Sequence, residues 1–225
     1  MRRRWLVPGT AAAVLLGTFG LPALLRQVPF FRVRQVELVG VRYLSPDTVL
    51  AALGIAPEQN VFDDTDAIAS RAASVAGVVS ARIERRLPGT LRVIVVEQVP
   101  VAFVAGGERL VAVDGDGRTL PYDPAASGLD LPLIAGADSL LVRSLAVVRF
   151  TDSTLFREVD GARRTPLGAV RLELGATQVL LAGVPAAGDV RAIAAVRQHL
   201  DAAGRRYREL DARYRRWIVV RRGLS

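Results

Sequence analysis

Residues 78–101, VVSARIERRLPGTLRVIVVEQVPV, carry two strand patterns separated at Leu87, Pro88 and Gly89, where the alternation of apolar and polar side chains breaks and then resumes. Proline and glycine punctuating period-two runs predict a β-hairpin. On the first arm Val79, Ala81 and Ile83 are expected on one face, toward a core, and Arg82 and Glu84 on the other. The second arm carries the apolar run Val93–Val96 and is expected to be the better buried strand. Upstream, Val33–Val39 alternates as VRQVELV and ends at Gly40, which predicts a first strand. Ser45-Pro46 predicts a helix start, with serine as N-cap and proline where its missing N–H costs nothing, and Gly54 predicts its end. Thr65 or Asp66 is expected to cap a second helix running to about Val75, before Gly77. The order is strand, helix, helix, strand, strand.

Composition excludes several functions. The chain of 225 residues has no cysteine, so thiol catalysis, disulfide scaffolds and zinc fingers fall away. All 30 basic residues are arginine and Asn60 is the one asparagine, a bias of coding composition more than of chemistry. The net charge of +8 is concentrated at the ends: residues 1–26 carry +4 and residues 204–225 carry +6, leaving the body at −2. A slightly acidic, aromatic-poor body argues against nucleic-acid binding.

Trp5–Leu25 is 21 residues without a charge, just long enough to cross a hydrocarbon core. Arg2, Arg3 and Arg4 precede it, which predicts a cytoplasmic amino terminus with the rest of the chain outside. A cleavable signal peptide is the competing reading, but LPALLRQVPFF over 21–31 puts bulky residues where a cleavage site wants small ones. The reading favours an uncleaved transmembrane helix.

Beyond Pro100, Arg109–Val113 predicts a strand, Asp114–Gly117 a turn and Thr119–Tyr122 the returning strand. The DGDG turn lacks the further carboxylates of a calcium loop. Leu140–Val148 suggests a short helix, and 137–168 is otherwise undetermined. VRLEL over 170–174 and QVLLA over 178–182 predict a hairpin around Gly175-Ala176-Thr177. Val190, Ile193, Val196 and Leu200 repeat at helical spacing within Asp189–Leu200. His199, the single histidine, has no nucleophile or second ligand beside it in sequence and reads as a solvated surface residue.

The strand-helix-helix-strand-strand order beside one apolar span resembles a POTRA domain. With FRVRQVELVGVRYLS, the turn Leu87-Pro88-Gly89 followed by Glu97-x-x-Pro100, the step Asp130–Gly136, and Leu210-Asp211-Ala212-Arg213-Tyr214 near the end, the chain resembles the FtsQ/DivIB family of bacterial cell-division proteins. Other POTRA proteins continue into a many-stranded membrane barrel, for which fewer than 130 residues remain here.

The resemblance implies an α+β fold: a cytoplasmic tip over 1–4, a transmembrane helix over 5–25, a linker over 26–30, a POTRA domain over 31–100, and a mostly antiparallel β domain with a packed helix over 101–225. It implies a non-enzymatic scaffold without metal or cofactor, in the inner (plasma) membrane at the division septum. Its partners would be an FtsB/FtsL-type (DivIC/FtsL) coiled-coil pair, bound by β-augmentation at the last strands, and other division proteins through the POTRA domain. Arg213, Tyr214, Arg215, Arg216, Trp217, Ile218, Val219 and Val220 would form that interface, with Arg213, Tyr214 and Trp217 as anchors because arginine and aromatic residues dominate interface hot spots. Alternatively, Tyr214 and Trp217 close the core of the last hairpin. A two-arginine turn departs from the Asn, Asp or Gly that such hairpins favour, which leaves its register open. Two other classes stand beside the scaffold. A cell-wall hydrolase would need paired carboxylates or a nucleophile with its base, and the sequence offers no such set. A POTRA-containing envelope chaperone or export accessory protein is set against chiefly by the missing barrel and by Leu210–Tyr214.

Overall fold

The computed structural model describes residues 24–106, 109–124, 128–214 and 216–223. The expected transmembrane helix lies, except for Leu24 and Leu25, outside the described residues. No helix among the described residues is long and apolar enough to cross a membrane. The chain divides into two compact units that meet between Glu97 and Gln98.

In the first unit β1 (Gln35–Val39), α1 (Pro46–Leu53), α2 (Thr65–Ala73), β2 (Val78–Arg86) and β3 (Thr90–Glu97) follow in the expected order. The hairpin partners β2 and β3 run antiparallel, and β1 joins the other side of β3 in parallel, so β3 is the middle strand. Its inward residues Leu91, Val93 and Val95 are buried, as are Val49 and Leu53 of α1 and Ile68 and Ala72 of α2, and each of the larger side chains contributes roughly 1.5–3 kcal/mol by leaving water. Val96, on the opposite face, is exposed, so the apolar run is buried on one side only.

Gly40 ends β1 at φ 87°, and a Cβ there would stand 2.1 Å from the carbonyl oxygen of Val95, so only glycine fits. Gly89 is equally confined, its Cβ position lying 2.6 Å from the Arg32 carbonyl oxygen.

Two local expectations need correction, and a third, the Ser45 N-cap, holds in position only. Val79 does not point to the core: a register shift between Val78 and Ser80 inserts one extra residue, and Val79 is exposed. Ser45 occupies the N-cap of α1 without a side-chain cap bond. The cap of α2 is Asp64, whose carboxylate accepts the Asp66 N–H at 2.9 Å. Glu97, the first residue of the Glu97-x-x-Pro100 run, also has a structural role. Its buried carboxylate accepts the N–H groups of Arg42, Tyr43 and Leu44 at 2.8–2.9 Å and fixes the loop between β1 and α1.

The second unit is a nine-stranded sheet ordered β12-β11-β10-β9-β8-β7-β4-β5-β6. Its strands are β4 (Ala102–Gly106), β5 (Arg109–Val113), β6 (Thr119–Leu120), β7 (Leu133–Ile134), β8 (Gly161–Arg164), β9 (Val170–Leu174), β10 (Thr177–Leu181), β11 (Glu209–Tyr214) and β12 (Trp217–Arg221). Most neighbours are antiparallel, but β4–β7, β7–β8 and β10–β11 are parallel. Parallel neighbours need long crossovers. Helices α3 (Ser139–Thr151) and α4 (Ser153–Arg157) connect β7 to β8, and α5 (Ala187–Ala202) connects β10 to β11.

Leu141, Val142, Leu145 and Val148 of α3 and Val190, Ile193 and Leu200 of α5 join one buried cluster with Val170, Leu172, Val179 and Leu210 of the sheet. The span 139–151 is thus longer than the short helix expected, and α4 and β8 were unforeseen. Thr177 belongs to β10, leaving Gly175-Ala176 as the turn, with Gly175 at φ 57°. The return after the 114–117 turn is only Thr119–Leu120, while the Asp114 carboxylate accepts the N–H groups of Asp116 and Arg118, each at 2.9 Å. His199 is exposed on α5.

Candidate functional site: the terminal hairpin edge

The sheet ends at β12, which pairs with β11 alone in the strand order. The pairing is antiparallel, from Glu209↔Arg221 through Asp211↔Val219 to Tyr214↔Trp217. Between Asp211 and Tyr214 the register shifts, so β11 advances three residues while β12 advances two. Arg216 takes the left-handed turn position at φ 66°, which accommodates the two-arginine turn at a conformational cost. Arg215 lies outside the described residues.

The expected interface residues separate into roles. Trp217 is 75% exposed and Tyr214 52% exposed, and they face each other across the turn rather than closing a core. Val219 and Val220 are exposed on successive positions, hence on opposite faces of the edge strand. Ile218 packs partly buried against the main cluster and holds the strand to the domain. A depression of mixed character, lined by Leu181, Val184, Pro185 and Tyr214 together with the charged Asp189 and Arg213, adjoins the ends of β10 and β11.

Arg213 is turned inward. Its Nε and Nη2 donate to Oδ1 and Oδ2 of Asp211 at 2.8 and 2.7 Å, a bidentate fork. The arginine hydrogen bonds hold the fully buried Asp211 carboxyl below its ordinary range, against the opposing effect of burial. The same contact raises the Arg213 guanidinium.

Arg221 of β12 reaches across to both acids of β11, with Nη2 at 3.3 Å from Asp211 and Nε at 3.2 Å from Glu209. Gln178 of β10 donates its side-chain amide to the other oxygen of Glu209. A polar ladder therefore runs across β10, β11 and β12 on the face turned away from Leu210 and the helices. In the sequence Asp211 stands out only as a member of the run Leu210–Tyr214, which does not join it to Glu209 and Arg221. The available signal was two acids at alternate positions of an apolar strand, which places both on one face.

Strand-helix-helix-strand-strand followed by a sheet with an open terminal hairpin defines a POTRA-type unit joined to a β domain. Residues 31–98 match the family described as POTRA domain, FtsQ-type. The chain is 33% identical over 159 residues to "Cell division protein FtsQ" of Mycobacteroides abscessus, covering 69% of this chain and 51% of that protein. It is 34% identical over 120 residues to the protein of that name in Mycolicibacterium smegmatis, covering 53% and 36%, and 32% identical over 108 residues to that in Anaeromyxobacter, covering 48% and 36%. The chain belongs to the FtsQ/DivIB family. It spans about half or less of the length of the curated relatives it matches.

Proposed function

We propose that the chain is a non-enzymatic scaffold of bacterial cell division, anchored once in the inner membrane at the septum, that binds an FtsB/FtsL-type coiled-coil pair by strand addition to β12. The observation that carries this is the edge itself. β12 closes the strand order, offers backbone N–H and C=O groups on its far side, and exposes Trp217, Val219 and Val220 along it. The relatives' shared name supplies the cell-division context.

Aromatic side chains beside an open edge are efficient anchors, because they bury much area for little entropy. Arg213, bound to Asp211, holds the end of β11 in shape, while exposed Arg216 and Arg222 supply positive charge that steers an acidic segment. Affinity capture from envelope extract with the full chain tests this reading. Recovery of small single-pass coiled-coil proteins is expected, and their absence, with the chain folded and recovered, contradicts it.

A further inference from the structure

Asn60 is the chain's one asparagine and is only 3% exposed. Its side-chain amide nitrogen lies 3.2, 3.0 and 3.2 Å from the carbonyl oxygens of Leu25, Arg26 and Val28, and its Oδ1 accepts the Phe62 N–H at 3.0 Å. Arg26 adds a bond from Nε to the Phe62 carbonyl at 2.8 Å. The Phe31 ring meets Phe62 edge-on at 5.2 Å. The segment that follows the uncharged span is therefore tied to the first unit rather than left as a free linker.

That tied segment exposes apolar side chains: Leu24 by 66%, Val28 by 39% and Phe30 by 58%. Residues 24–34 carry Arg26, Arg32 and Arg34 and no acid. The nearby Asp63 and Asp64 carboxylates already accept backbone N–H groups, from Asn60 at 2.7 Å and Asp66 at 2.9 Å. Exposed aromatic and aliphatic side chains interleaved with arginine match the boundary between anionic headgroups and acyl chains.

We propose that residues 24–34 form a contact surface for an anionic lipid bilayer, seating the first unit against the membrane that the chain enters. This rests on the reading of Trp5–Leu25 as a membrane span. Phe30 follows Leu25 by five residues, at most ~18 Å of extended chain. Turns closed by the Gln27, Val28 and Phe31 N–H groups make the path shorter. A headgroup band of roughly 5–8 Å per leaflet is thus within reach.

The full chain, reconstituted in nanodiscs with brominated acyl chains, tests this by tryptophan quenching. With Trp5→Phe and Trp217→Phe in place, Phe30→Trp is expected to show blue-shifted, quenched emission in discs containing phosphatidylglycerol, and weaker quenching in phosphatidylcholine alone. Arg32→Gln and Arg34→Gln should each lower the contact equilibrium about fivefold in the anionic discs. In a parallel sample bearing only Trp217→Phe, native Trp5 reports the span. Quenching of Trp5 without quenching at position 30 overturns the lipid contact and leaves the span standing, whereas loss of both signals overturns the span and the proposal with it.

Discussion

Asp211 is a carboxylate removed from water, and its charge is maintained by the Arg213 fork and by Arg221 from the neighbouring strand. Its folded pKa is depressed, so the unfolded chain takes up a proton first as pH falls. The stabilisation is fully present above the ordinary aspartate value of about 4 and is lost as pH drops below it through the folded value. Asp211→Asn should therefore cost about 2 kcal/mol at neutral pH, the scale of hydrogen bonds to a charged group, and the difference from the parent should shrink in strongly acidic solution. Chemical denaturation at several pH values checks both the size and the direction. In the first unit the buried Glu97 carboxylate collects three backbone N–H groups and so fixes a loop. Neither role was legible from residue type: the Asp211 fork is made within β11, but its burial and the reach of Arg221 follow from the sheet, and the partners of Glu97 come from the loop between β1 and α1, far away in sequence.

Elements were more legible than single side chains. The break at Leu87-Pro88-Gly89 gave the hairpin of the first unit, and Val190, Ile193 and Leu200 gave the buried stripe of α5. Local patterns that relied on a uniform period went astray: the bulge at Val79 turned a core residue outward. The stretch SLLVRSLAVVRFT over 139–151 is apolar on much of its surface because α3 packs against the sheet, α4 and α5 together, which blurs helical periodicity. β8, GARR, is four residues with two arginines and carries no apolar alternation at all. Caps offer a test of how far sequence signals reach. Asp64→Ala removes a cap bond that is made and should destabilise the first unit by about 1 kcal/mol, whereas Ser45→Ala removes none and should change stability by only a few tenths, as thermal unfolding of the two variants will reveal.

At the scale of the molecule, the expected candidate site proved to be a collection of different parts. Tyr214, Trp217, Val219 and Val220 are exposed at an open edge, Ile218 fastens the strand, Arg216 shapes the turn and Arg213 is bound within the chain. Sequence placed the hairpin, but the division of labour follows from β12 being terminal in a nine-stranded order that only the fold defines. The proposed topology, with three arginines before the uncharged span, predicts that protease added to intact spheroplasts removes a tag at residue 225. A protected tag would reverse the orientation. The open edge is the centre of the proposal, and it is tested most directly by titrating the reconstituted full chain with an FtsB/FtsL-type coiled-coil pair and comparing Tyr214→Ala and Trp217→Ala with the parent. Both side chains are exposed, so each variant should unfold close to the parent temperature while losing about 2 kcal/mol or more of affinity. Two folded variants that bind the pair as tightly as the parent would place the interface elsewhere and contradict the account.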